Sequence, residues 1–586
     1  MAARNVDEIT IDNIENTVSD AEFEEIFTEK DSPAPFTKED FRKLRDPGIY
    51  HEPDGREVHF EGFFDRYVFN AAIREFEEKR QELADYLQPG TKEDIFSYVR
   101  PLKTNQIFTP RKVVNMMLDL LEENNPGIFE NPNLTFADLY VKSGLYLTEI
   151  AKRLNRGLEN VIPNREERIK HIFEQQLYGF APTGIIYNIA HKYIYGNFAN
   201  VSDRNFIQKD LTETFKNNQE LNMKFDVIVG NPPYQINDEG GKRDDGSVNA
   251  SASPIYQYFV ESSNKISRIS CLIMPGRWLS GAGKGLAYFT EEMLSDNHIK
   301  ALRYYLDSKI VFPTVDIKGG VVYYCRDNLY NGKTKITVTT NDGTETSERM
   351  LRSAGGTFIP FEQLDSILNK VINICPSLSS ENVQAITSVL KPYGLRTDVI
   401  RDPAKYGLPE MYQNKIDAIK DGKEPIEIFG LIGGKRVKYY LPYDYPIPAG
   451  RETIGKWKVF VPKAYGCGAL GEEIASPILG SPILGSPIQI CTETFIRYGS
   501  FNTELEAQAA FKYLKGKFFR VMVGIIKTTQ DSPSRVYRLV PLQDFTSSSD
   551  IDWNKSIHEI DLQLYKKYNL SDEEIDFIET HVREMG

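Results

Sequence analysis

Residues 225–234 read Phe225-Asp226-Val227-Ile228-Val229-Gly230-Asn231-Pro232-Pro233-Tyr234. The first six residues form a short apolar run with one embedded aspartate, which is typical of a buried strand in a parallel sheet. The two prolines end the strand at once, because proline cannot continue a hydrogen-bonded ladder. The stretch therefore predicts an amide, a rigid turn and an aromatic ring at the carboxyl end of a strand, where open α/β sheets bind ligands.

The turn from Asn231 to Tyr234 meets the requirements for methylating the exocyclic amine of a base. The lone pair of such an amine is delocalised into the ring, and a catalyst has to make it available. The Asn231 carboxamide oxygen and the Pro232 carbonyl can each accept one amine hydrogen, and Pro233 restricts the backbone around that carbonyl. Tyr234 offers a face on which a flipped base can stack. Asn-Pro and Pro-Pro also occur in ordinary turns, and the position after a predicted strand favours the site.

Length and composition indicate a soluble globular protein. The chain has 586 residues, of which 41% are hydrophobic and 26% are charged, so we expect roughly two or three domains. No apolar run reaches the length of about 18 residues that a membrane span needs, and residues 1–10 lack a signal core. We expect a cytoplasmic protein. The five cysteines have no CxxC spacing, which predicts neither a zinc site nor a disulfide framework, and we expect no metal.

The formal net charge of −13 at first disfavours a polyanionic partner. A DNA groove, however, needs only a local basic surface. Basic residues crowd one stretch near the C-terminus: Lys512, Lys515, Lys517, Arg520, Lys527, Arg535 and Arg538. This stretch is either part of a DNA-binding surface or a solvated helix face.

Residues 1–100 read as a helical and charged region, with the clearest amphipathic pattern over 64–87. Thr109 is then a good helix N-cap, and Pro110 suits the first helical position. A helix start of this kind is a natural site for an anion or a carboxylate.

Strand-like and helical segments alternate from residue 135 onwards. We predict strands over 135–140, 176–180, 205–208, 225–229, 269–274, 300–305 and 320–325, and helices over 145–154, 183–195, 255–266 and 286–294. This alternation predicts an α/β, Rossmann-like domain with a mostly parallel sheet covered by helices on both faces. Such a domain suits a mononucleotide-like cofactor.

Two further segments stand out. Residues 235–254 are polar and rich in Gly and Asp, and they form either a lid that orders on DNA or a disordered surface loop. Residues 476–488 repeat Ser-Pro-Ile-Leu-Gly two and a half times, which is too few copies for a solenoid. We interpret the repeat as a local duplication in a strand-and-turn segment.

These motifs, in this order, resemble the gamma class of adenine-specific DNA methyltransferases from restriction–modification systems. The resemblance implies S-adenosylmethionine as cofactor. It implies that Phe108, Thr109 and Pro110 hold the methionine end, that Asp138 and the turn Ser143-Gly144 lie beneath it, and that Asp210 contacts the adenine amine. Phe312, in the place of a late motif of the family, would complete the target-base pocket beside Tyr234.

The resemblance extends to the C-terminal part of the chain. Segments 391–396, 463–466 and 528–531 look like the recognition region of this subfamily. The sequence therefore predicts a helical N-terminal region over 1–100, a methyltransferase domain over 101–345 and a mixed α+β target-recognition domain over 346–586. The candidate DNA-binding residues are Arg396, Lys463, Lys527 and Arg535, and the expected partner is double-stranded DNA.

The first cofactor motif departs from the family pattern at two places. Leu139 and Lys142 replace a Pro and a Gly that normally let the backbone approach the cofactor, and a Lys fits this turn only with an allowed φ. In addition, residues 178–181 (Tyr-Gly-Phe-Ala) hold no acid where the family usually binds the ribose hydroxyls.

Three functions remain open at this stage. The first is site-specific transfer of methyl from S-adenosylmethionine to N6 of a flipped adenine, as the modification component of a restriction–modification or phage-defence system. The alternative is a catalytically weak, sequence-specific DNA-binding subunit that directs a nuclease or helicase partner. The third is methylation of an RNA base or a protein glutamine, which the large C-terminal region disfavours.

Overall fold

The structure is a computed structural model that divides into two compact units. It describes residues 11–17, 19–20, 23, 37–51, 57–60, 109–196, 198, 200–237, 252–281, 285–313, 315, 317–465, 476–527 and 530–585. One unit comprises Met1–Trp278 and Gly283–Thr337, and the other comprises Leu279–Ala282 and Val338–Gly586. The predicted amphipathic segment 64–87, Phe108 and most of the polar loop lie outside the described residues.

The described part of the first hundred residues is not entirely helical. It contains helices α1 (Ile14–Thr17) and α2 (Lys38–Arg45) and strands β1 (Gly48–His51) and β2 (Glu57–Phe60). The two strands pair antiparallel. The residues between them include Pro53-Asp54-Gly55, a turn-forming sequence that favours a hairpin over a continuing helix.

Nine of the next eleven strands, most of them in the first unit, form one sheet. In chain order the strands are β3 (Phe136–Asp138), β4 (Leu177–Ala181), β5 (Phe206–Gln208), β6 (Phe225–Gly230), β7 (Gln235–Asn237), β8 (Ala252–Pro254), β9 (Ser267–Pro275), β10 (Ile299–Tyr305), β11 (Val321–Asp327), β12 (Thr334–Thr339) and β13 (Thr344–Arg349). The sheet order is β13-β12-β10-β11-β9-β6-β3-β4-β5, and β7 and β8 pair separately.

The predicted parallel sheet is confirmed. Strands β5, β4, β3, β6 and β9 pair parallel to one another, and β11 pairs antiparallel with both β9 and β10. The chain runs from β3 to β4 and β5 on one side and then returns to β6 on the other side. This reversal makes the carboxyl ends of β3 and β6 a topological switch point.

The helices of this unit lie between the strands along the chain, as predicted. They are α3 (Arg111–Asn124), α4 (Leu145–Gly157), α5 (Arg165–His171), α6 (Gly184–Tyr195), α7 (Thr212–Lys216), α8 (Tyr256–Ile266) and α9 (Ala287–Leu294). Every predicted helix and strand of residues 135–325 is present with its ends shifted by at most three residues. The short helices α5 and α7 and the π-helical turn Ile172–Gln176 were not predicted, because too few residues carry a periodic pattern there.

Asp226, the aspartate embedded in β6, fixes the start of β3. Its Oδ2 accepts hydrogen bonds of 2.9 Å from both the backbone N–H and the hydroxyl of Thr135. The Asp226 N–H in turn donates to the Thr135 hydroxyl at 3.0 Å. These bonds hold the two strands in the register that brings their carboxyl ends together.

The second unit is mixed α+β. Its strands are β14 (Ile426–Ile432), β15 (Lys435–Leu441), β16 (Trp457–Pro462), β17 (Ile483–Gly485), β18 (Gln489–Cys491) and β19 (Phe495–Phe501), and its helices are α10 (Glu362–Ile374), α11 (Glu504–Lys515), α12 (Lys517–Gly524), α13 (Ile557–Lys567) and α14 (Asp572–His581). Two three-stranded sheets form, β15-β14-β18 and β17-β16-β19. The middle copy of the Ser-Pro-Ile-Leu-Gly repeat supplies β17, while Ile478 and Ile488 of the flanking copies adopt positive φ angles of 62° and 58°.

Replacing Asp226 with Ala should destabilise the first unit. The substitution removes a charged acceptor of two hydrogen bonds, so we expect the free energy of unfolding to fall by about 1–3 kcal/mol. Urea denaturation followed by tryptophan fluorescence measures this change. The exposed Glu220→Ala variant is the matched control and should stay within about 0.5 kcal/mol of the wild type; equal stability of the two variants would contradict the role given to Asp226.

Candidate active site

The pairing of β3 with β6 brings the two central site segments together. Phe136 lies opposite Val227, and Ala137 lies opposite Ile228. Asp138 therefore ends its strand beside the strand that leads into Asn231. Both side chains lie at the switch point, where the sheet order alone predicts a ligand site.

A pocket opens at this point. Its lining residues are Thr109, Asp138, Tyr140, Lys142, Ser143, Gly144, Leu145, Tyr146 and Asn231, and its empty volume is about 250 Å³. The structure thus brings together five residues that the sequence named for the site: Thr109, Asp138, Ser143, Gly144 and Asn231. Tyr140, Leu145 and Tyr146 were missed, because their aromatic and aliphatic side chains carry no catalytic signature in the sequence.

Thr109 does not cap a helix, which corrects the expectation from the sequence. Helix α3 begins at Arg111, and its N-cap residue is Pro110, which makes no side-chain capping bond. The Thr109 hydroxyl instead accepts hydrogen bonds from Asn231 Nδ2 at 3.0 Å and from the Tyr146 hydroxyl at 3.3 Å. Capping is local, whereas this hydroxyl is drawn to a buried amide 122 residues away.

The bond to Thr109 orients the catalytic candidate. Asn231 is 2% exposed, and the use of Nδ2 turns the carboxamide oxygen Oδ1 away from Thr109. Pro232, Pro233 and Tyr234 are buried with it. Apart from the side on which Asn231 lines the pocket, the turn is therefore enclosed by packing, and this preorganisation is what an acceptor for amine hydrogens requires.

Asp138 lies close to the backbone of Tyr140 and of Gly230. Its Oδ1 accepts a hydrogen bond from the Tyr140 N–H at 3.0 Å, and a Cβ added at Gly230 would lie 2.8 Å from the same oxygen. Burial raises the pKa of Asp138 to about 7, against the opposing effects of the Tyr140 N–H and the Lys142 amine. Gly144 follows with φ 81° and starts α4.

Lys142 is the most unusual member of the pocket. It is 8% exposed, and its amine nitrogen lies 5.6 Å from the ring centre of Tyr234 and 6.0 Å from that of Tyr140. Burial lowers the pKa of Lys142 to about 7, and the nearby Asp138 carboxylate partly offsets this effect. Its φ is not positive, so the turn accepts a lysine where the family has glycine.

Tyr234 is packed inward rather than presented to solvent. It is 8% exposed, its hydroxyl is buried, and its ring meets Tyr256 edge to face with 6.5 Å between the ring centres. Burial raises the pKa of Tyr234 well above its usual value, with a smaller contribution from Tyr256. The Tyr234 hydroxyl is therefore out of contact with solvent in this conformation.

Six described residues that the sequence named for the site do not line this pocket: Pro110, Asp210, Pro232, Pro233, Tyr234 and Phe312. Phe312 is 2% exposed and packs in the hydrophobic core of the first unit. Asp210 is exposed, and its Oδ1 accepts the Thr212 N–H at 2.8 Å before α7. It still lies close enough to Tyr140 to contribute, after burial, to raising the pKa of that phenol to about 12.

The predicted recognition segments meet in the second unit. Tyr465 N donates to the Gln530 carbonyl at 2.9 Å, which joins segments 463–466 and 528–531 directly. Segment 391–396 is connected to them through Glu493 and Thr494, because Glu493 N donates to the Leu395 carbonyl at 2.8 Å and Lys463 N donates to the Thr494 carbonyl at 2.9 Å.

The four candidate DNA-binding residues are exposed to different degrees. Arg396 and Arg535 are exposed and Lys463 is half-buried. Lys527 is 1% exposed, and its amine donates to the Tyr465 carbonyl at 3.0 Å. The charged amine of Lys527 is therefore hydrogen-bonded inside the second unit in this conformation. Sequence composition cannot separate such an internal lysine from a surface one.

No group of three or more His, Cys, Asp or Glu side chains that could hold a metal ion occurs among the described residues. Within the same ranges, no helix is long and apolar enough to cross a membrane. The four described cysteines are free thiols.

The buried Asp138 and Lys142 should cost the protein stability near neutral pH. The folded pKa of Asp138 is raised from 3.8 to about 7, so its contribution to stability falls as the pH rises through that range. The folded pKa of Lys142 is lowered from 10.5 to about 7, so its contribution falls as the pH drops through that range. Both penalties act near pH 7.

We therefore expect the double variant Asp138→Asn/Lys142→Met to match or exceed the wild type in unfolding free energy at pH 7, by up to about 4 kcal/mol. The single variant Asp138→Asn should be the least stable, because it leaves the amine without its carboxylate. Urea melts at pH 7 and pH 9 measure both differences. A double variant less stable than either single variant would contradict this account.

Comparison with known proteins finds a matching family model and a similar protein. Residues 142–312 match the model of the family described as Eco57I restriction-modification methylase. An uncharacterized adenine-specific methylase of Mycoplasma pneumoniae (strain ATCC 29342 / M129 / Subtype 1) is 25% identical over 310 residues, which cover 42% of this chain and 72% of that protein.

Similar solved structures come from restriction–modification systems. A chain of a type I R-M system has 14% identity and a TM-score of 0.31, with coverage of 53% of this chain and 56% of that one. A nuclease-deletion mutant of the Type ISP restriction-modification enzyme LlaGI has 10% identity and a TM-score of 0.44, with coverage of 82% and 48%. This chain thus spans about half the length of both. Residues 142–312 of this chain are therefore similar to the Eco57I restriction-modification methylase family.

Proposed function

We propose that this protein is a site-specific DNA adenine methyltransferase that modifies the exocyclic N6 amine of a flipped adenine. The observation that carries the proposal is the buried Asn231 at the switch point, oriented by Thr109 and followed by a rigid Pro-Pro turn. The match of residues 142–312 to a methylase family supports the same reaction. The protein would be the modification component of a restriction–modification or phage-defence system.

The residues of the turn activate the amine by accepting its hydrogens. Asn231 Oδ1 and the Pro232 carbonyl each bind one N–H, which draws the nitrogen toward tetrahedral geometry and exposes its lone pair. Neither group has to reorganise, because Thr109 holds the amide and Pro233 holds the backbone. Tyr234 stacks on the base once its ring has turned away from Tyr256.

The pocket suits S-adenosylmethionine, which carries both positively and negatively charged groups. It supplies an electrophilic methyl group on a positively charged sulfur. Thr109, Asp138, Ser143 and Gly144 would hold it, and the Asp138 carboxylate provides a negative charge at the bottom of the pocket. The empty volume of about 250 Å³ includes space that is open to solvent, and Lys142 is among the lining residues. The enclosed part is smaller than the cofactor, so the site would have to open on binding.

The second unit would recognise double-stranded DNA through its joined segments. Arg396 and Arg535 offer exposed cations for phosphates or base edges. The backbone of Lys463 is hydrogen-bonded to Thr494 and to Ser532. A restriction endonuclease or helicase subunit would be the protein partner. Since its substrate is cellular DNA, we place the protein in the cytoplasm.

Asn231→Ala should abolish methyl transfer while DNA binding persists. Loss of one preorganised donor or acceptor at a reacting centre lowers the rate by a factor of about 10²–10³. Asn231 would bind one of the two amine hydrogens that the turn accepts. Transfer of tritiated methyl to DNA and a mobility-shift assay measure the two properties, and the exposed Asn217→Ala variant is the control. An Asn231→Ala protein with full transfer activity would remove Asn231 from the mechanism. A wild-type protein that binds DNA but neither transfers methyl nor binds S-adenosylmethionine would favour the DNA-binding-subunit alternative.

Arg396→Ala and Arg535→Ala should each weaken DNA binding without changing affinity for S-adenosylmethionine. If the side chain contacts a phosphate, the slope of log K against log salt should fall by about 1. Fluorescence anisotropy at several salt concentrations measures the slope, with the exposed Lys420→Ala variant as control. The buried Lys527→Met variant should instead lower the melting temperature. An unchanged slope in both arginine variants would place the DNA surface elsewhere.

A further inference from the structure

Lys142 places an amine inside the candidate methyl-transfer pocket. It lines the pocket with Asn231, Asp138 and Tyr140, and its nitrogen lies over the ring of Tyr234, 5.6 Å from the ring centre. The mechanism proposed for the Asn-Pro-Pro-Tyr turn does not involve this lysine. A buried amine is costly, and a retained cost at a reacting centre points to a chemical role.

Methylation of an amine leaves a proton to be removed. The amine nitrogen forms a bond to the methyl carbon of a sulfonium donor, the carbon–sulfur bond breaks and its electron pair stays on sulfur. As that bond forms, positive charge builds up on the nitrogen, which has one hydrogen too many. In the same step that N–H bond breaks, its electron pair returns to nitrogen, and the proton needs an acceptor. Asn231 and the Pro232 carbonyl can accept hydrogen bonds but are far too weakly basic to keep the proton.

The titratable groups that face Lys142 are Asp138 on β3, Tyr140 after it, Tyr146 on α4 and Tyr234 after β6, with Asp210 acting on Tyr140. The three phenols remain protonated at neutral pH, because burial raises the pKa of each. Asp138 Oδ1 is held by the Tyr140 N–H and covered by Gly230. Lys142 alone in this set combines a lone pair, when neutral, with a position at the ring on which the base would stack.

We propose that Lys142, in its neutral form, is the base that receives the proton from the methylated amine. This inference rests on the proposed adenine methylation. The flexible lysine stem lets the amine move from the face of Tyr234 to the edge of a stacked base, and Asp138 then stabilises the ammonium that forms. Burial, which lowers the pKa of Lys142 to about 7, keeps a fraction of the amine neutral in the physiological range.

Single-turnover methylation of a DNA duplex, measured from pH 5.5 to 9, tests the assignment. The wild-type rate should rise about tenfold per pH unit below an apparent pKa near 7 and then level off. Lys142→Met should lose about 10²–10⁴ in rate and lose the pH dependence. Lys142→Arg, which keeps the charge but cannot accept a proton at these pH values, should be as slow. Methylamine should restore part of the rate to Lys142→Ala, and the exposed Lys112→Met control should behave as wild type.

Three measurements besides activity separate this role from a structural one. Calorimetric binding of S-adenosylhomocysteine and base flipping, followed with 2-aminopurine at the target position, should be unchanged in Lys142→Met. NMR of lysine side chains should show one resonance that titrates near pH 7 in the wild type and is absent from Lys142→Arg. If Lys142→Met is poorly folded, Lys142→Gln replaces it in the binding and flipping measurements.

The outcomes are distinct. A Lys142→Met protein with the wild-type rate and pH profile would overturn the assignment, and so would a variant that loses only cofactor affinity at an unchanged maximal rate. A wild-type protein without methyl transfer would overturn the proposed function itself. If transfer depends on Asn231 but not on Lys142, the proposed function stands and only the role of the lysine fails.

Discussion

The parallel pairing of β3 with β6 is the constraint on which the candidate site depends. It places Asp138 and the turn after Gly230 at one point, although 92 residues separate Asp138 from Gly230 along the chain. Asp226 sets the pairing by bonding both polar groups of Thr135 at the start of β3. Gly230 then lets the two strand ends approach, because a Cβ there would lie 2.8 Å from the Asp138 carboxylate. A shift of one residue in this register would turn Asp138 to the other face of the sheet.

Burial perturbs the titration of two pocket side chains at a cost to folding. Water is excluded around Asp138 and Lys142, which moves the pKa of the acid up and that of the amine down until both lie near 7. Groups with such values can exchange protons at neutral pH, whereas the same groups on a surface would stay charged. The protein keeps this arrangement at the expense of stability, as sites built for chemistry commonly do.

Several basic side chains of the second unit donate hydrogen bonds to backbone carbonyls inside that unit. Arg520 donates to the carbonyls of Pro477 and Arg583, and the Lys458 amine donates to the carbonyls of Thr453, Ile454 and Gln489. These charges satisfy buried carbonyl groups, which would otherwise be costly to bury. A count of basic residues therefore overstates the surface that could contact DNA. The exposed Arg396 and Arg535 remain as candidates for it.

The sequence by itself determined the order and type of the elements from β3 to β11, the parallel sheet, and the placement of Asn231 at a strand end. These follow from local information, since apolar periodicity and proline act on neighbouring residues. It also predicted Thr109 and Asp138 as site residues. It did not predict the hydrogen bond from Asn231 to Thr109, the inward ring of Tyr234, the core position of Phe312 or the burial of Lys142 and Lys527. Only the tertiary structure decided these, because the partner of a polar atom and its loss of water depend on which distant segments pack around it.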